Sequence, residues 1–338
     1  MSKDFERFEL LRRRHLDDVL GLIAETIEQA APDGSSLVEM ADYHLSTGGK
    51  RLRALLPLAI AEIFEVAPER LIPLGAACEL LHNATLVHDD LQDGDRTRRG
   101  ADTVWVRYGE ARAINLGDAM LYFTLMLARK LDFRPARRDA LIDRLLADTI
   151  RVIDGQEREF LLQAEDTPSI EAYYAMVQGK TSGLFALPMA GAAALCGADD
   201  AVVEAIAEAA GHLGVLFQIQ DDVLDVYGEK GRDRRGTDVA EGKISSLVVH
   251  ALSSLPADEA NMLRDLLRRP RKDVSDADIA WAVDRFDDAG SLRAALDEID
   301  RRRTLAVEND TIATVPGLSP FLTGLADLFV VPIADLHP

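Results

Sequence analysis

Two acidic motifs, Asp89-Asp90-Leu91-Gln92-Asp93 and Asp221-Asp222-Val223-Leu224-Asp225, are the residues of this chain best placed to do chemistry. In each, the first and last aspartates are four apart, so on a helix they share a face with Cβ atoms roughly 5–6 Å apart. Each motif ends an apolar run, Leu80 to His88 for the first and Leu213 to Gln220 for the second. Unpaired charge beside a core is expensive. A hard cation offsets that cost, and Mg²⁺ suits carboxylates because it accepts one or two of them together with waters and substrate phosphates. Two such faces opposed across a cavity would cage a Mg²⁺-bound diphosphate. The competing reading is two solvated helix faces. Asp and Glu number 58 of 338 residues, so acidic pairs arise by chance, but two motifs embedded in apolar runs argue against chance.

Cations suited to phosphate lie nearby in the sequence. Gly48-Gly49-Lys50-Arg51-Leu52-Arg53 joins two helical stretches and puts positive charge at a helix start. The helix dipole disfavours that arrangement unless an anion binds there. Lys50 and Arg53 would meet the anion, and Arg51 should point elsewhere. Arg98-Arg99-Gly100 follows the first motif by a short loop, and guanidinium grips phosphate oxygens bidentately. Lys180-Thr181 sits at an expected helix break, and Lys243 begins a helix after Gly242. His82 is a candidate phosphate contact, while His88, next to Asp89, reads as structural. Gln218 shares nearly the same face as Asp221. Each of these taken alone also fits an ordinary surface or core residue, and their company gives them weight. No Ser-His-Asp or Cys-His set stands out, so the chemistry reads as metal-assisted departure of a leaving group.

The elements that must position these groups read as helices. Periodicity and breakers predict helices over 5–30, from a cap at Ser36 to 47, 50–65 with Pro57 inside, 71–92, 111–131 and 136–163. A further helix from Ser169 breaks at 179–183 and resumes to 195, and the next spans 201–227. Shorter helices follow near 244–255, 258–268, 276–286, 291–308 and 320–329, with charged loops at 93–102 and 228–242. No stretch alternates as a strand does. Low aromatic content, 6%, with abundant Ala, Leu and Arg, favours helix. The expected architecture is one all-α domain over residues 1–338. A net charge of −20 argues against broad nucleic-acid binding. Cys78 and Cys196 form no disulfide framework or zinc pattern and read as buried small hydrophobes. The charged N-terminus is no secretory signal, and the longest nearly apolar run, 184–198, is too short for a bilayer, so a cytoplasmic protein is expected.

The sequence resembles the trans-isoprenyl diphosphate synthases. The resemblance lies in GGKRLR (48–53), LVHDDLQD with RTRRG (86–100), GD (117–118), GQ (155–156), GKT (179–181), GVLFQIQDDVLD (214–225) and GTDVAEGK (236–243), which occur in the family's order. It implies an all-α bundle around a deep central cavity, usually as a homodimer. It also implies head-to-tail condensation of isopentenyl diphosphate with an allylic diphosphate. Asp89, Asp93 and Asp221 would bind Mg²⁺, three ions with substrate present, supported by Asp90, Asp222 and Asp225. Arg98, Lys180, Thr181, Gln218 and Lys243 look like allylic diphosphate contacts, and Lys50, Arg53, His82 and Arg99 like the isopentenyl diphosphate site. Asp238 matches an outer-shell aspartate. Asp102 stands where the family usually has proline, and Arg234 where it often has lysine, which keeps the phosphate-binding charge there. The C-terminal stretch lacks a basic end. Small Ala84 and Thr85, a turn below Asp89, predict a product of at least twenty carbons, with Leu81 or residues 120–123 as a deeper floor. Rival readings are a farnesyl-length synthase, a terpene cyclase or head-to-head synthase, and a non-catalytic partner subunit. The first conflicts with Ala84 and Thr85, the second does not need GGKRLR with RRG, and the third commonly loses an aspartate motif.

Overall fold

The computed structural model describes residues 3–228 and 235–336. In chain order the helices are α1 (Lys3–Ala30), α2 (Ser36–Ser46), α3 (Leu52–Ile63), α4 (Ile72–Gln92), α5 (Val104–Tyr108), α6 (Glu110–Arg129), α7 (Pro135–Ala164), α8 (Ile170–Val177), α9 (Gly183–Cys196) and α10 (Asp200–Tyr227). They continue with α11 (Thr237–Ala240), α12 (Ser246–Ser254), α13 (Ala257–Leu267), α14 (Asp276–Asp288), α15 (Ser291–Val307), α16 (Asp310–Ala313) and α17 (Leu318–Val330). The all-α expectation holds, with local corrections. The stretch 93–102 is not wholly irregular: β1 (Thr97–Arg98) pairs antiparallel with β2 (Ala101–Asp102). The ladder is too short to show any alternation in sequence. The expected break at 179–183 is a π-helical turn, Gln178–Ser182, between α8 and α9. The N-cap of α2 is Ser35, one residue before the expected Ser36, and it accepts from the Leu37 N–H at 3.2 Å. Pro57 lies inside α3, which starts at Leu52.

The chain gathers into two compact units. The first comprises 1–149, 184–207 and 310–320, and the second 150–183, 208–309 and 321–338.

In the first unit α4 is the central rod, packed against α1, α3 and α6. Leu74, Ala76, Ala77, Leu80, Leu81, Ala84 and Val87 are all buried, so α4 has apolar contacts on most of its circumference, as an interior helix does. Each large aliphatic side chain so buried contributes roughly 1.5–3 kcal/mol. α1 offers a single apolar row instead, with Leu11, Val19, Ile23 and Ile27 buried and the opposite face charged. The α3–α4 crossing depends on Gly75, where an added Cβ would lie 2.3 Å from the Ala54 carbonyl oxygen.

In the second unit α12 is the hub, packed against α8, α13, α14 and α15. Leu247, Val248, Val249 and Ala251 are buried, as are Phe286 of α14 and Ile299 of α15. Ser245 caps α12 by accepting from the Val248 N–H at 3.3 Å, and this fixes the entry of the chain beside Asp222. Two stretches, Asp200–Tyr227 and Leu318–Leu336, are long and apolar enough to cross a membrane by length and composition. The most apolar window of Asp200–Tyr227 is 50% buried within the protein.

Substituting Gly75→Ala is expected to lower stability by about 1–3 kcal/mol, because the methyl meets backbone that cannot yield. Denaturant unfolding measures it. An unchanged midpoint would show that α3 and α4 can separate at no cost.

Candidate active site

The first unit presents Asp89 and Asp93 half-buried near the C-terminal end of α4. Between them Asp90 is buried and bound to Arg98, with Nε at 2.7 Å and Nη2 at 2.5 Å from the same carboxylate oxygen. Its second oxygen is shielded and has no hydrogen-bond partner. Burial pushes the Asp90 carboxyl up against the pull of Arg98. The segment after the motif is tied down so that Arg98 turns back. Thr103 Oγ1 and Trp105 Nε1 both donate to the Asp95 carbonyl at 2.8 Å. The turn between β1 and β2 is Arg99-Gly100, both with positive φ, 53° and 80°, as a two-residue type I′ hairpin requires. A left-handed arginine is uncommon. It carries the Arg99 guanidinium to the Gly48 carbonyl, to which it donates. At Gly49 an added Cβ would lie 2.8 Å from that guanidinium, so the glycine permits the approach.

Within the GGKRLR stretch Arg51 points away from its neighbours, as expected. Arg51 turns inward, 7% exposed, with φ 52°, and Nη1 donates to Glu79 Oε1 at 2.8 Å. Arg53 lies over the Phe185 ring at 4.7 Å, its Nε shielded and without a partner. Burial lowers its pKa to about 10, with Glu79 pulling the other way. Lys50 is exposed. His82 has a shielded Nδ1 without a partner. Its pKa is held well below the ordinary value by burial first, then by Arg53, Arg98 and Arg99. The first unit thus brings Arg53, His82, Arg98 and Arg99 together. His88 has the structural role expected of it. Its Nε2 lies 3.5 Å from Asp118, and its ring covers Gly117, where a Cβ would meet Nε2 at 2.2 Å.

In the second unit only Asp221 of its motif is half-buried; Asp222 and Asp225 are buried. Asp222 accepts from Tyr173 Oη at 2.7 Å, the Ser246 N–H at 2.8 Å and Gln218 Nε2 at 3.1 Å. Burial raises its pKa to about 7 against those bonds. Asp225 accepts from Thr237 Oγ1 at 2.7 Å and the Asp238 N–H at 3.1 Å, anchoring α11. These two carboxylates therefore spend lone pairs on protein donors. Thr181 Oγ1 donates to Gln218 Oε1 at 3.2 Å, and Lys180 Nζ lies 2.5 Å from Glu159 Oε2. The π turn is crossed closely by α7 at Gly155, where a Cβ would meet the Lys180 nitrogen at 2.1 Å. Lys243 Nζ lies 2.9 Å from Glu241 and 3.9 Å from Asp238. Arg234 lies outside the described residues. Glu159, Tyr173, Glu79 and His44 were not legible as site neighbours. Each meets its partner across a long sequence separation, and acid-to-cation complementarity, of Glu159 with Lys180 and of Glu79 with Arg51, is the one signal the sequence offers.

The donor set fits a hard cation. It is all carboxylate oxygen, and one shielded Asp90 oxygen has no partner. Among the described residues no three acidic, His or Cys side chains are gathered closely enough to hold an ion alone.

Of the motif carboxylates, Asp89, Asp93 and Asp221 are half-buried, while Asp90, Asp222 and Asp225 are buried. Residues 35–284 match the polyprenyl synthetase family model. A geranylgeranyl diphosphate synthase of Saccharolobus solfataricus is 32% identical over 303 residues, covering 87% of this chain and 90% of that one. A nonaprenyl diphosphate synthase of Mycobacterium tuberculosis is 34% identical over 242 residues, covering 70% and 69%. The crystal structure of a geranylgeranyl pyrophosphate synthetase from Pyrococcus horikoshii superposes with a TM-score of 0.84 at 27% identity, covering 96% and 99%. The chain belongs to the polyprenyl synthetase family and is a prenyltransferase.

Within the second motif, function and stability should separate. Asp225→Ala is expected to lower stability by about 1–3 kcal/mol through its orphaned donors. Asp221→Ala, at a half-buried position, is expected to cost less melting temperature than Asp225→Ala and to remove turnover. Thermal melts and a prenyl-transfer assay check both, and equal melting of the two variants would refute the division.

Proposed function

We propose that this chain condenses isopentenyl diphosphate head to tail with an allylic diphosphate and carries the product to twenty carbons or more. The observation that carries the reading is the retention of both aspartate motifs together with the arginine set in a polyprenyl synthetase chain. Asp89, Asp93 and Asp221 are the proposed Mg²⁺ ligands, for three ions when substrate is present, with Asp90, Asp222 and Asp225 in support. Bound Mg²⁺ would neutralise the departing allylic diphosphate.

The chain's own residues do the rest. Arg98 and Lys180 are oriented by Asp90 and Glu159 and supply the positive charge for the phosphate oxygens. Thr181, Gln218 and Lys243, with Arg234, complete the allylic diphosphate contacts. Lys50, Arg53, His82 and Arg99 hold isopentenyl diphosphate, whose double bond attacks the allylic cation. The departed diphosphate takes the final proton.

Product length is read from the first unit. Leu81 lines a cavity of about 390 Å³ together with Leu121, Tyr122, Leu125, Leu145 and Thr149. We assign the growing tail to it, with Leu121 and Leu145 as the floor. Ala84 is buried and small, and Thr85 bonds back to the His82 carbonyl, so neither projects a large side chain. A homodimer in the cytoplasm is the proposed state. It is supported by a row of exposed residues on α6, Ile114, Tyr122 and Met126, that would otherwise face water.

The test is a product assay. The protein with Mg²⁺ and isopentenyl diphosphate is offered dimethylallyl, geranyl and farnesyl diphosphates, and products are sized by mass spectrometry against an EDTA blank. Chains of twenty carbons or more are expected, shortened by Ala84→Phe. A fifteen-carbon stop in the unaltered protein would overturn the length assignment, and no turnover with any starter would favour a partner subunit.

A further inference from the structure

His44, on α2, is not among the family-matched contacts, yet it lies inside the same cationic group. It is 3% exposed, and its Nε2 is shielded from water without a hydrogen-bond partner. A buried imidazole nitrogen left unsatisfied costs stability, so its retention calls for an explanation. His82 of α4 has an unpartnered shielded nitrogen of its own.

The charged groups around His44 come from several elements. Arg51 follows α2, and Arg98 and Arg99 come from the hairpin; all three press against a positive imidazole. From α4, Asn83 is hydrogen-bonded to it and pulls the other way. Glu79, also on α4, is committed to Arg51 and to Asn83 Nδ2 at 3.0 Å. On the outer side α5 supplies Arg107, stacked on Tyr43 at 4.1 Å, and Tyr108, bonded to Glu39 at 3.1 Å, while Arg112 of α6 lies over Tyr108. Burial, followed by the arginines, holds His44 down to about 3, so it is uncharged at neutral pH in the empty site.

A diphosphate bound by Arg53 and Arg99 reverses the sign of that local field. It also supplies an acceptor, which the shielded Nε2 of His44 lacks. We propose that His44 is a proton-linked positioning residue of the isopentenyl diphosphate site, neutral when the arginines are empty and protonated from solvent when a diphosphate occupies them. The step forms one N–H bond at the imidazole at the expense of a buffer acid and moves no electrons. The inference rests on the assignment of Lys50, Arg53, His82 and Arg99 to that substrate.

The sign follows from linkage. A group whose pKa rises on binding favours the complex at low pH, and the gain is lost as pH rises through the bound-state value. Affinity for isopentenyl diphosphate should therefore fall with pH more steeply in the unaltered protein than in His44→Gln, by up to about tenfold per pH unit. Calorimetric titration with isopentenyl diphosphate, without metal, in buffers of different ionisation enthalpy counts the protons directly. Titration of the ligand itself cancels in the difference between the two proteins. The unaltered protein is expected to take up more protons, by up to about one per ligand. Equal proton counts with intact binding would overturn the proposal. Arg53→Ala separates the two readings: if it binds like the unaltered protein, the site assignment fails. If it loses binding while His44→Gln matches the unaltered count, only the proton linkage fails. Should His44→Gln not fold, the ¹⁵N imidazole signals of His44 with and without ligand decide. An imidazolium pattern on binding supports the proposal, and an unchanged neutral pattern sinks it.

Discussion

Charge taken out of water must meet opposite charge or a full set of hydrogen bonds, and the architecture on both units follows from that requirement. Glu79 cannot sit in the middle of α4 without Arg51, and Arg51 cannot reach it without a left-handed backbone after the Gly48-Gly49 turn. Breaking such a pair leaves a buried charge alone, which typically costs 3–5 kcal/mol. The pair therefore fixes the turn, and the turn gives the start of α3 its direction. Arg53, two residues on, is set over Phe185 by the same geometry. Asp90 and Arg98 repeat the arrangement at the other end of α4. A helix held by one buried ion pair along its length and another near its C-terminal end has its rotation fixed, and Asp89 and Asp93 inherit that orientation.

The second unit meets the same requirement with neutral donors. Asp222 is served by a tyrosine, a glutamine and a backbone N–H, each from a different element. Asp225 organises the start of α11. Each unit therefore buries one or two carboxylates of its motif and leaves the others half-buried. The Asp-Asp-x-x-Asp pattern reads as three equivalent acids in sequence, but its members divide into buried and half-buried carboxylates once folded.

Much of this was legible beforehand because it depends on local spacing. The helices of 72–92 and 200–227, the inward turn of Arg51 and the structural role of His88 all follow from period and neighbours. What the sequence does not display depends on pairings distant along the chain. The β1–β2 ladder is two residues long, below the length at which alternation can register. The π turn at 178–182 reads as a break because Gly179 and Gly183 signal one, whereas the chain stays helical there with Gly155 passing close beside it. His44 gave no signal, since a single histidine on an amphipathic helix is indistinguishable from a core residue until the hairpin arginines arrive beside it.

Leu81 and Asp89 belong to one uninterrupted helix, the first lining the cavity and the second offering its carboxylate. The separation between these two levels is therefore written in hydrogen-bonded backbone, eight residues or about 12 Å. No loop or hinge intervenes, so thermal motion elsewhere in the protein does not blur it. Such a rod is a gauge with discrete graduations of about 1.5 Å. Whatever is measured between its marks can be reset by exchanging one side chain for another, while the rod itself keeps its length.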